Sequence, residues 1–260
     1  MPAFRIAHSA AAFLLAAFSA TVFAQATQAP ATFEPHSGQA GKDVVWVPTP
    51  QIVVEKMLSM AKVTPKDFVM DLGSGDGRTV ITAAKLGARA LGVEYNPDMV
   101  ELSKRNAEKE GVAGKASFVE ADLFQTDFSK ASVITMFLLP DINLKLRPKI
   151  LGLKPGTRIV SNTFTMGDWK ADETADISSS CAASYCTALL WIVPARVAGT
   201  HQLPQGELIL KQEFQMLTGT LSTDGTALPV EGKVRGAEIT LTAGGREYRG
   251  RLNGKQLELR

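Results

Sequence analysis

The sequence predicts an α/β protein in which a doubly wound sheet is followed by a small antiparallel β-rich region. Between residues 49 and 163, continuously apolar runs of strand length alternate with segments of helical spacing. Such runs are typical of parallel strands covered by helices on both faces, as in Rossmann-like folds. Beyond Gly199 the helical spacing stops, and short alternating runs separated by glycine turns predict an antiparallel meander.

The elements of the first region follow from local signals. Thr49 can cap a helix with Pro50 at its first position, and Asn96 and Pro97 repeat this arrangement at a later helix. Gly111 is expected to end that later helix. The predicted strands are 68–72, 88–94, 116–120, 132–138, 157–163 and 187–197. The helices predicted after the first one are 77–86, 97–110 and 141–151.

The second region is predicted as a meander of short strands. The strands are expected at 207–212, 214–221, 230–234, 238–242, 248–252 and 256–259, with turns at Asp224-Gly225, Gly244-Gly245 and Asn253-Gly254. No catalytic set of residues is visible there. We expect this region to pack against the edge of the first sheet or to contact a partner.

The N-terminal residues have the layout of a secretory signal peptide. Arg5 and His8 precede an apolar run, and Val22-Phe23-Ala24 fits a cleavage site. We expect cleavage after Ala24 and export to the periplasm or the medium. Residues 25–44 are expected to be a linker before one domain over 45–198 and a β-rich domain over 199–260.

Charge and cysteine content exclude several classes of partner. The chain has 28 Lys and Arg against 26 Asp and Glu, which gives no reason to expect binding to nucleic acid or strong binding to a membrane surface. Cys181 and Cys186 are spaced for a loop-closing disulfide in an oxidising compartment, with two unlinked thiols as the alternative. Two cysteines and 3 histidines do not suggest a metal site.

The run of residues 68–78 is a buried strand that ends in a glycine-rich turn. Gly73, Gly75 and Gly77 alternate along it, so the backbone can pass close to a ligand. Arg78 stands where the third glycine of the dinucleotide fingerprint would be.

Acidic side chains accompany this turn. Asp71, Glu94 and Asp122 each end one of three successive strands, and Asp76 lies inside the turn. Four carboxylates would repel a pyrophosphate but suit S-adenosylmethionine, which carries an ammonium and a sulfonium. The sequence therefore favours S-adenosylmethionine as the cofactor.

Each residue of this pattern has an expected contact with the cofactor. We expect Asp71 to accept a hydrogen bond from the ammonium, directly or through water, Glu94 from both ribose hydroxyls and Asp122 from the exocyclic amine of adenine. Gly73, Ser74 and Gly75 are expected to contact the methionine and ribose, and Leu123 and Phe124 to sandwich the adenine ring.

Four segments together resemble a known family. They are Asp71-Leu-Gly-Ser-Gly-Asp-Gly-Arg78, Gly92-Val-Glu-Tyr-Asn-Pro97, Glu120-Ala-Asp-Leu123 and Phe137-Leu-Leu-Pro140. They resemble class I, seven-strand S-adenosylmethionine-dependent methyltransferases, above all the mitochondrial protein-lysine methyltransferases that modify the ATP synthase c subunit and the adenine nucleotide translocase. The resemblance covers about residues 44–170, and the export signal and the β-rich tail depart from it.

The resemblance implies in-line methyl transfer to an amine, first of all a protein lysine. Phe137, Leu139 and Pro140 are then candidates for the wall beside the transferred methyl group, and Trp46 and Thr49 for the closure of the cleft from the N-terminal side. No general base is expected. The alternatives are a small-molecule methyltransferase and an exported binding protein that keeps the fold without turnover.

Overall fold

The computed structural model describes residues 1–3, 33–254 and 256–260. Nearly all of the predicted signal peptide and the first part of the predicted linker lie outside the described residues. The chain from Phe33 to Arg260 forms one compact unit. Within the described ranges, no helix combines the length and the apolar character needed to cross a membrane.

The first sheet has seven strands. They are β1 (Phe68–Leu72), β2 (Arg89–Glu94), β3 (Ala116–Glu120), β4 (Val133–Met136), β5 (Arg158–Asn162), β6 (Glu173–Asp176) and β7 (Thr187–Ile192). Their spatial order is β3-β2-β1-β4-β5-β7-β6. Strands β1 to β5 are parallel, as predicted, whereas β7 runs antiparallel to β5 and β6 antiparallel to β7.

Four α-helices accompany this sheet among the described residues: α1 (Gln51–Met60), α2 (Arg78–Lys85), α3 (Pro97–Lys109) and α4 (Pro140–Leu151). The predicted cap of α3 is confirmed, because the Asn96 side chain accepts from the backbone N–H groups of Asp98 and Met99. The predicted cap of α1 is wrong. Pro50 is the N-cap, and its carbonyl, not the Thr49 side chain, accepts from the first turn.

Alternate residues of the strands face opposite sides of the sheet. Val69, Val133 and Val160 belong to one buried cluster with residues of α1, α2 and α3. The neighbouring positions Met70 and Ile134 belong to a second cluster with residues of α4. Both faces of the sheet are therefore covered, as the continuously apolar strands predict.

A second sheet of seven strands forms the C-terminal region. Its strands are β8 (Gly199–Leu203), β9 (Gly206–Glu213), β10 (Met216–Thr223), β11 (Thr226–Arg235), β12 (Glu238–Ala243), β13 (Arg246–Asn253) and β14 (Gln256–Leu259). Every neighbouring pair is antiparallel, which confirms the meander. The sequence did not predict β6 and β8, because both are short strands with few apolar residues.

The second sheet packs beside the edge of the first. Phe214 stacks on the buried Trp169, with ring centroids 6.0 Å apart. The Gln215 side chain donates to the carbonyl of Lys170 at 2.8 Å. These contacts agree with the expected packing against the sheet edge, while the expected contact with a partner protein stays a prediction.

Candidate active site

The site lies at the carboxyl ends of the strands, where the direction of strand order changes. From β1 the chain continues to β2 on one side, and β4 lies on the other side. In open α/β sheets, ligands bind in the crevice at such a switch point. A cleft with ≈ 980 Å³ of empty space, counting its open mouth, occupies this position.

The glycine turn lines the cleft, and neighbouring side chains pack closely against it. Gly73 and Gly75 have φ values of 78° and 55°, in the region that favours glycine. A Cβ atom on Gly75 would lie 2.5 Å from Nε1 of Trp46, and one on Gly73 would lie 3.1 Å from Leu138. Among the described residues, the buried hydroxyl of Ser74 in this turn has no hydrogen-bond partner. The glycines therefore let Trp46 and Leu138 pack directly against the backbone of the turn.

Asp71 is the buried carboxylate of the cleft. It lies in β1, is 6% exposed, and accepts a hydrogen bond of 2.5 Å from the Thr135 hydroxyl of β4. Burial raises the pKa of Asp71 to about 7 against the hydrogen bond from Thr135, and the carboxylates of Glu94 and Asp76 add to the rise. A cationic ligand group beside Asp71 would offset the cost of burying its negative charge.

Glu94 holds the glycine turn against the end of β2. Its Oε2 accepts from the N–H of Gly75 at 2.9 Å, and its Oε1 accepts from the N–H groups of Tyr95 and Asn96, both at 3.0 Å. A carboxylate offers about four acceptor positions, so one position on Oε2 is left for a ligand hydroxyl. The predicted contact of both oxygens with the two ribose hydroxyls would require Oε1 to release a backbone partner.

Two cations reduce the negative charge that the sequence alone indicates. The guanidinium of Arg78 pairs with Asp76 at 2.6 Å and also donates to the carbonyl of Thr49 at 3.0 Å. Lys42 pairs with Asp122 at 2.6 Å. Asp76, which also lines the cleft, is therefore already paired within the turn.

Lys42 lies at the adenine end of the cleft. Its Nζ atom is 4.5 Å from the centroid of the Tyr95 ring. The hydrogen bond from Lys42, together with the N–H of Phe124, holds the pKa of Asp122 below its ordinary value. Asp122 keeps acceptor positions for the adenine amine, but it has to share them with Lys42.

The cleft gathers most of the predicted site residues. Those that line it are Trp46, Thr49, Asp71, Gly73, Ser74, Gly75, Glu94, Asp122, Leu123 and Phe137. Phe124 is not among the residues that line the cleft and packs in the second core cluster. The prediction that it sandwiches the adenine with Leu123 is therefore not supported.

Leu139 and Pro140 do not line the cleft either. Leu139 is 45% exposed and is the N-cap of α4, and Pro140 is the first residue of that helix. Leu138 and Ile142 line the cleft instead. The reason is that Leu139 and Pro140 lie at the exposed start of α4, whereas Leu138 and Ile142 are buried on either side of it.

Sequence reasoning missed the segment from Gly41 to Val45. It falls largely within the predicted linker, yet the chain from Gly41 to Thr49 lines the cleft. Backbone hydrogen bonds fix it, from Gly38 to the carbonyl of Trp46 at 2.8 Å and from Trp46 to the carbonyl of Gln39 at 2.9 Å. A tryptophan and a lysine just ahead of the first helix, after an Ala- and Thr-rich stretch, are the only signal that the sequence offers for it.

The hydrogen-bond acceptors of the cleft fit S-adenosylmethionine. Asp71 suits its ammonium, the free position on Glu94 suits a ribose hydroxyl, Asp122 suits the adenine amine, and the glycine turn accommodates the chain between them. Among the described residues, no group of three or more His, Cys, Asp or Glu side chains is placed to hold a metal ion.

This fold and this site define the class of S-adenosylmethionine-dependent methyltransferases. Residues 71–173 match the model of the ANTKMT methyltransferase domain. The chain is 47% identical over 137 residues to a protein-lysine N-methyltransferase of Saccharolobus islandicus, a match that covers 52% of this chain and 85% of the relative. The chain therefore belongs to the same family as this relative, the S-adenosylmethionine-dependent protein-lysine methyltransferases.

Two further similar proteins differ in the molecule that receives the methyl group. The lysine N-methyltransferase of the ATP synthase c subunit from Rattus norvegicus is 37% identical over 130 residues, 50% of this chain and 60% of the relative. The crystal structure of an RNA methyltransferase from Salinibacter ruber, in complex with S-adenosyl-L-homocysteine, is 45% identical with a TM-score of 0.55. The match covers 58% of this chain and 96% of that chain.

Proposed function

We propose that this enzyme transfers the methyl group of S-adenosylmethionine to the Nζ atom of a lysine in a protein. The observation that carries the proposal is the 47% identity to a protein-lysine N-methyltransferase along 85% of that relative's length. The cleft supports it, because its β4 end is walled by Phe137 and Leu138, which suit the aliphatic stem of a lysine.

The residues of the cleft act by binding and alignment. When bound, S-adenosylmethionine supplies an electrophilic methyl group on a sulfonium, which is an excellent leaving group. Asp71 and Ser74 orient the methionine part, Glu94 the ribose, and Asp122 with Leu123 the adenine. Holding donor and acceptor in line converts a bimolecular reaction into an effectively unimolecular one.

The acceptor amine needs a free lone pair. A lysine with a pKa of about 10.4 is neutral in about one part in a few thousand at pH 7. The apolar wall formed by Phe137 and Leu138 desolvates the amine and lowers its pKa, and the proton leaves to water. This chain therefore needs no dedicated general base, and Asp71, which is committed to the cofactor ammonium, is not required as one.

A second candidate acceptor is RNA, because the Salinibacter ruber protein of 45% identity is an RNA methyltransferase. The near balance of 28 basic and 26 acidic residues disfavours this candidate. A small-molecule amine is a third candidate acceptor. A binding protein without turnover is disfavoured, since Asp71, Glu94 and Asp122 all line the cleft.

The test is incubation of the mature protein with labelled S-adenosylmethionine and a cell-envelope extract. We expect label in the protein fraction, removed by protease and not by ribonuclease, with methylated lysine found after hydrolysis. The variant Glu94→Ala, which lacks a cofactor contact, is the matched negative control. Label that follows RNA or the small-molecule fraction would overturn the assignment to lysine.

We propose that the protein acts outside the cytoplasm. The signal-like N-terminal residues support this proposal, and so does the disulfide between Cys181 and Cys186, since disulfides persist in oxidising compartments. Cell fractionation of the full chain should recover it in the periplasm or medium without residues 1–24. Retention of an intact N-terminus in the cytoplasm would contradict the proposal.

A further inference from the structure

The hairpin turn between β9 and β10 consists of two residues, Phe214 and Gln215, which we call the hairpin tip. Phe214 has a φ value of 51°, which is costly for a bulky side chain. Two-residue turns of this kind favour glycine, asparagine or aspartate, and Asp224-Gly225 between β10 and β11 follows this preference. The turn itself therefore does not explain why a phenylalanine is at this position.

The hairpin tip belongs to the second sheet but packs against the first. The Phe214 ring lies against the buried cluster that contains Trp169 and Ile142. It stacks on the ring of Trp169 with an angle of 15° between the two planes. Gln215 is 3% exposed and donates to the backbone carbonyl of the residue after Trp169. Strain at a position with such contacts indicates a functional constraint, because the surrounding structure has to maintain it.

Arg147 connects the hairpin tip to α4. The carbon atom Cζ of its guanidinium lies 5.3 Å from the centroid of the Phe214 ring, a distance at which the ring face attracts a cation. The same guanidinium donates to the carbonyl of Met166 at 2.8 Å and pairs with the carboxylate of Asp168. The segment that precedes Trp169 is therefore held by the helix as well as by the hairpin tip.

The start of α4 forms part of the cleft wall. Leu138, just before the helix, and Ile142 in its first turn are both buried and line the cleft. The fully buried side chain of Asn143 donates to two carbonyls of the segment that Arg147 also contacts, at 3.3 and 3.2 Å. Because Asn143 and Arg147 are four residues apart, they lie on one face of α4 and hold it at two points. The contacts of the hairpin tip therefore lead to the helix that carries the cleft wall.

We propose that Phe214 and Gln215 are positioning residues for the acceptor side of the cleft. They act through Trp169 and Arg147, which fix α4 and the apolar residues at its start. This inference rests on the proposed function, since it assigns the second sheet a role in receiving the acceptor. The hairpin tip lies beyond residues 71–173, so this role belongs to a part of the chain outside the match to the family model.

The variant Phe214→Asn/Gln215→Gly tests the proposal, because Asn-Gly favours a two-residue turn but lacks the contacts with the first sheet. Hydrogen exchange, followed by mass spectrometry, should become at least about fivefold faster in peptides of α4 and residues 164–172. Peptides of β1 and β2 should stay within about twofold of the original rate. The matched control is Asp224→Asn, which gives the same Asn-Gly sequence at an exposed turn of the same sheet and should leave both sets of peptides unchanged.

Kinetics separates positioning from a purely structural role. The acceptor is the cell-envelope extract, and label in the protein fraction is measured with S-adenosylmethionine at saturation. The extract concentration that gives half the maximal rate should rise about tenfold in the hairpin variant, because the acceptor side of the cleft is no longer held in place. The dissociation constant of S-adenosylmethionine should stay within about twofold, since Asp71 and Glu94 have hydrogen-bond partners of their own.

Two further variants identify the route of the effect. Phe214→Tyr keeps the ring on Trp169 and should stay within about twofold of the original protein in every measurement. Arg147→Met should raise the half-saturating extract concentration as the hairpin variant does. Combining Arg147→Met with the hairpin variant should add less than about twofold, because both changes remove the same contact.

Unchanged hydrogen exchange in α4 of the folded hairpin variant would overturn the proposal. Faster exchange with an unchanged half-saturating extract concentration would show a purely structural role and would overturn it as well. An equal loss of S-adenosylmethionine affinity would contradict the restriction to the acceptor side. Absence of label in protein with the original enzyme would instead refute the proposed function, and the exchange rates would still decide whether the hairpin tip holds α4.

Discussion

The two ends of the cleft carry the same residue type in opposite electrostatic states. At the end of β1, Asp71 is buried, contacts the Thr135 hydroxyl and has a pKa raised to about 7 by burial. After β3, the side chain of Asp122 is 28% exposed and pairs with Lys42, which lowers its pKa. The comparison shows that strand ends fix where the carboxylates lie, while contacts from distant parts of the chain fix their charge.

The largest change in affinity for S-adenosylmethionine is expected at the buried end of the cleft, where Asp71 lies. Asp71→Asn removes the negative charge that receives the cofactor ammonium but keeps an acceptor for Thr135. A charged hydrogen bond is worth about 3 kcal/mol at most, so the dissociation constant for S-adenosylmethionine should rise about 100-fold at pH 8. Isothermal titration calorimetry measures this rise, and thermal unfolding checks that the variant folds. A rise below about threefold would remove the distinction between the two ends.

The second prediction concerns pH. Below a pKa of about 7 Asp71 is protonated and cannot pair with an ammonium, so cofactor affinity should increase from pH 6 to pH 8 by about tenfold. The cofactor-free protein should lose stability as the pH rises from about 4 to about 7, because the folded state binds the proton more tightly than the unfolded state. Titrations at both pH values, in buffers of different ionisation enthalpy, should show proton release at pH 6. A flat profile in the original protein, or the same slope in Asp71→Asn, would contradict this prediction.

The smallest effect is expected at the exposed end. Asp122→Asn should weaken cofactor binding less than about fivefold, since exposed ion pairs contribute little and the amide oxygen still accepts from adenine.

Lys42→Met should change the affinity for the cofactor by less than about threefold and in the direction of tighter binding, because Asp122 is then free for the cofactor. Titrations of S-adenosylmethionine at low and high salt separate the two ends further. Salt should screen the exposed pair of Lys42 and Asp122 but not the buried Asp71. A loss in Asp122→Asn as large as that in Asp71→Asn would show that the two ends are equivalent.

The features that the sequence predicted correctly are those set by local chemistry. The strands around the glycine turn are continuously apolar, and Gly73 and Gly75 have the φ values that favour glycine. Asn96 caps α3 through its own side chain. The carboxylates were located because parallel strands bring their ends to one edge.

The features that the sequence did not predict depend on contacts between distant residues. Lys42 and Asp122 are 80 positions apart, so nothing near Asp122 indicates its partner. The direction of the side chains after Phe137 depends on where α4 begins, which places Leu139 and Pro140 outside the cleft. Phe214 carried no signal of its contact, since only the fold brings its ring to Trp169.

The central claim is that carboxylates at the carboxyl ends of β1 and β2 hold the cofactor. The most direct test is a calorimetric titration of S-adenosylmethionine into the original protein and Glu94→Ala at pH 8, with thermal unfolding of both. We predict micromolar binding to the original protein and about 30-fold weaker binding to a folded Glu94→Ala variant, a smaller loss than in Asp71→Asn. Equal affinity in the two folded proteins would contradict the account.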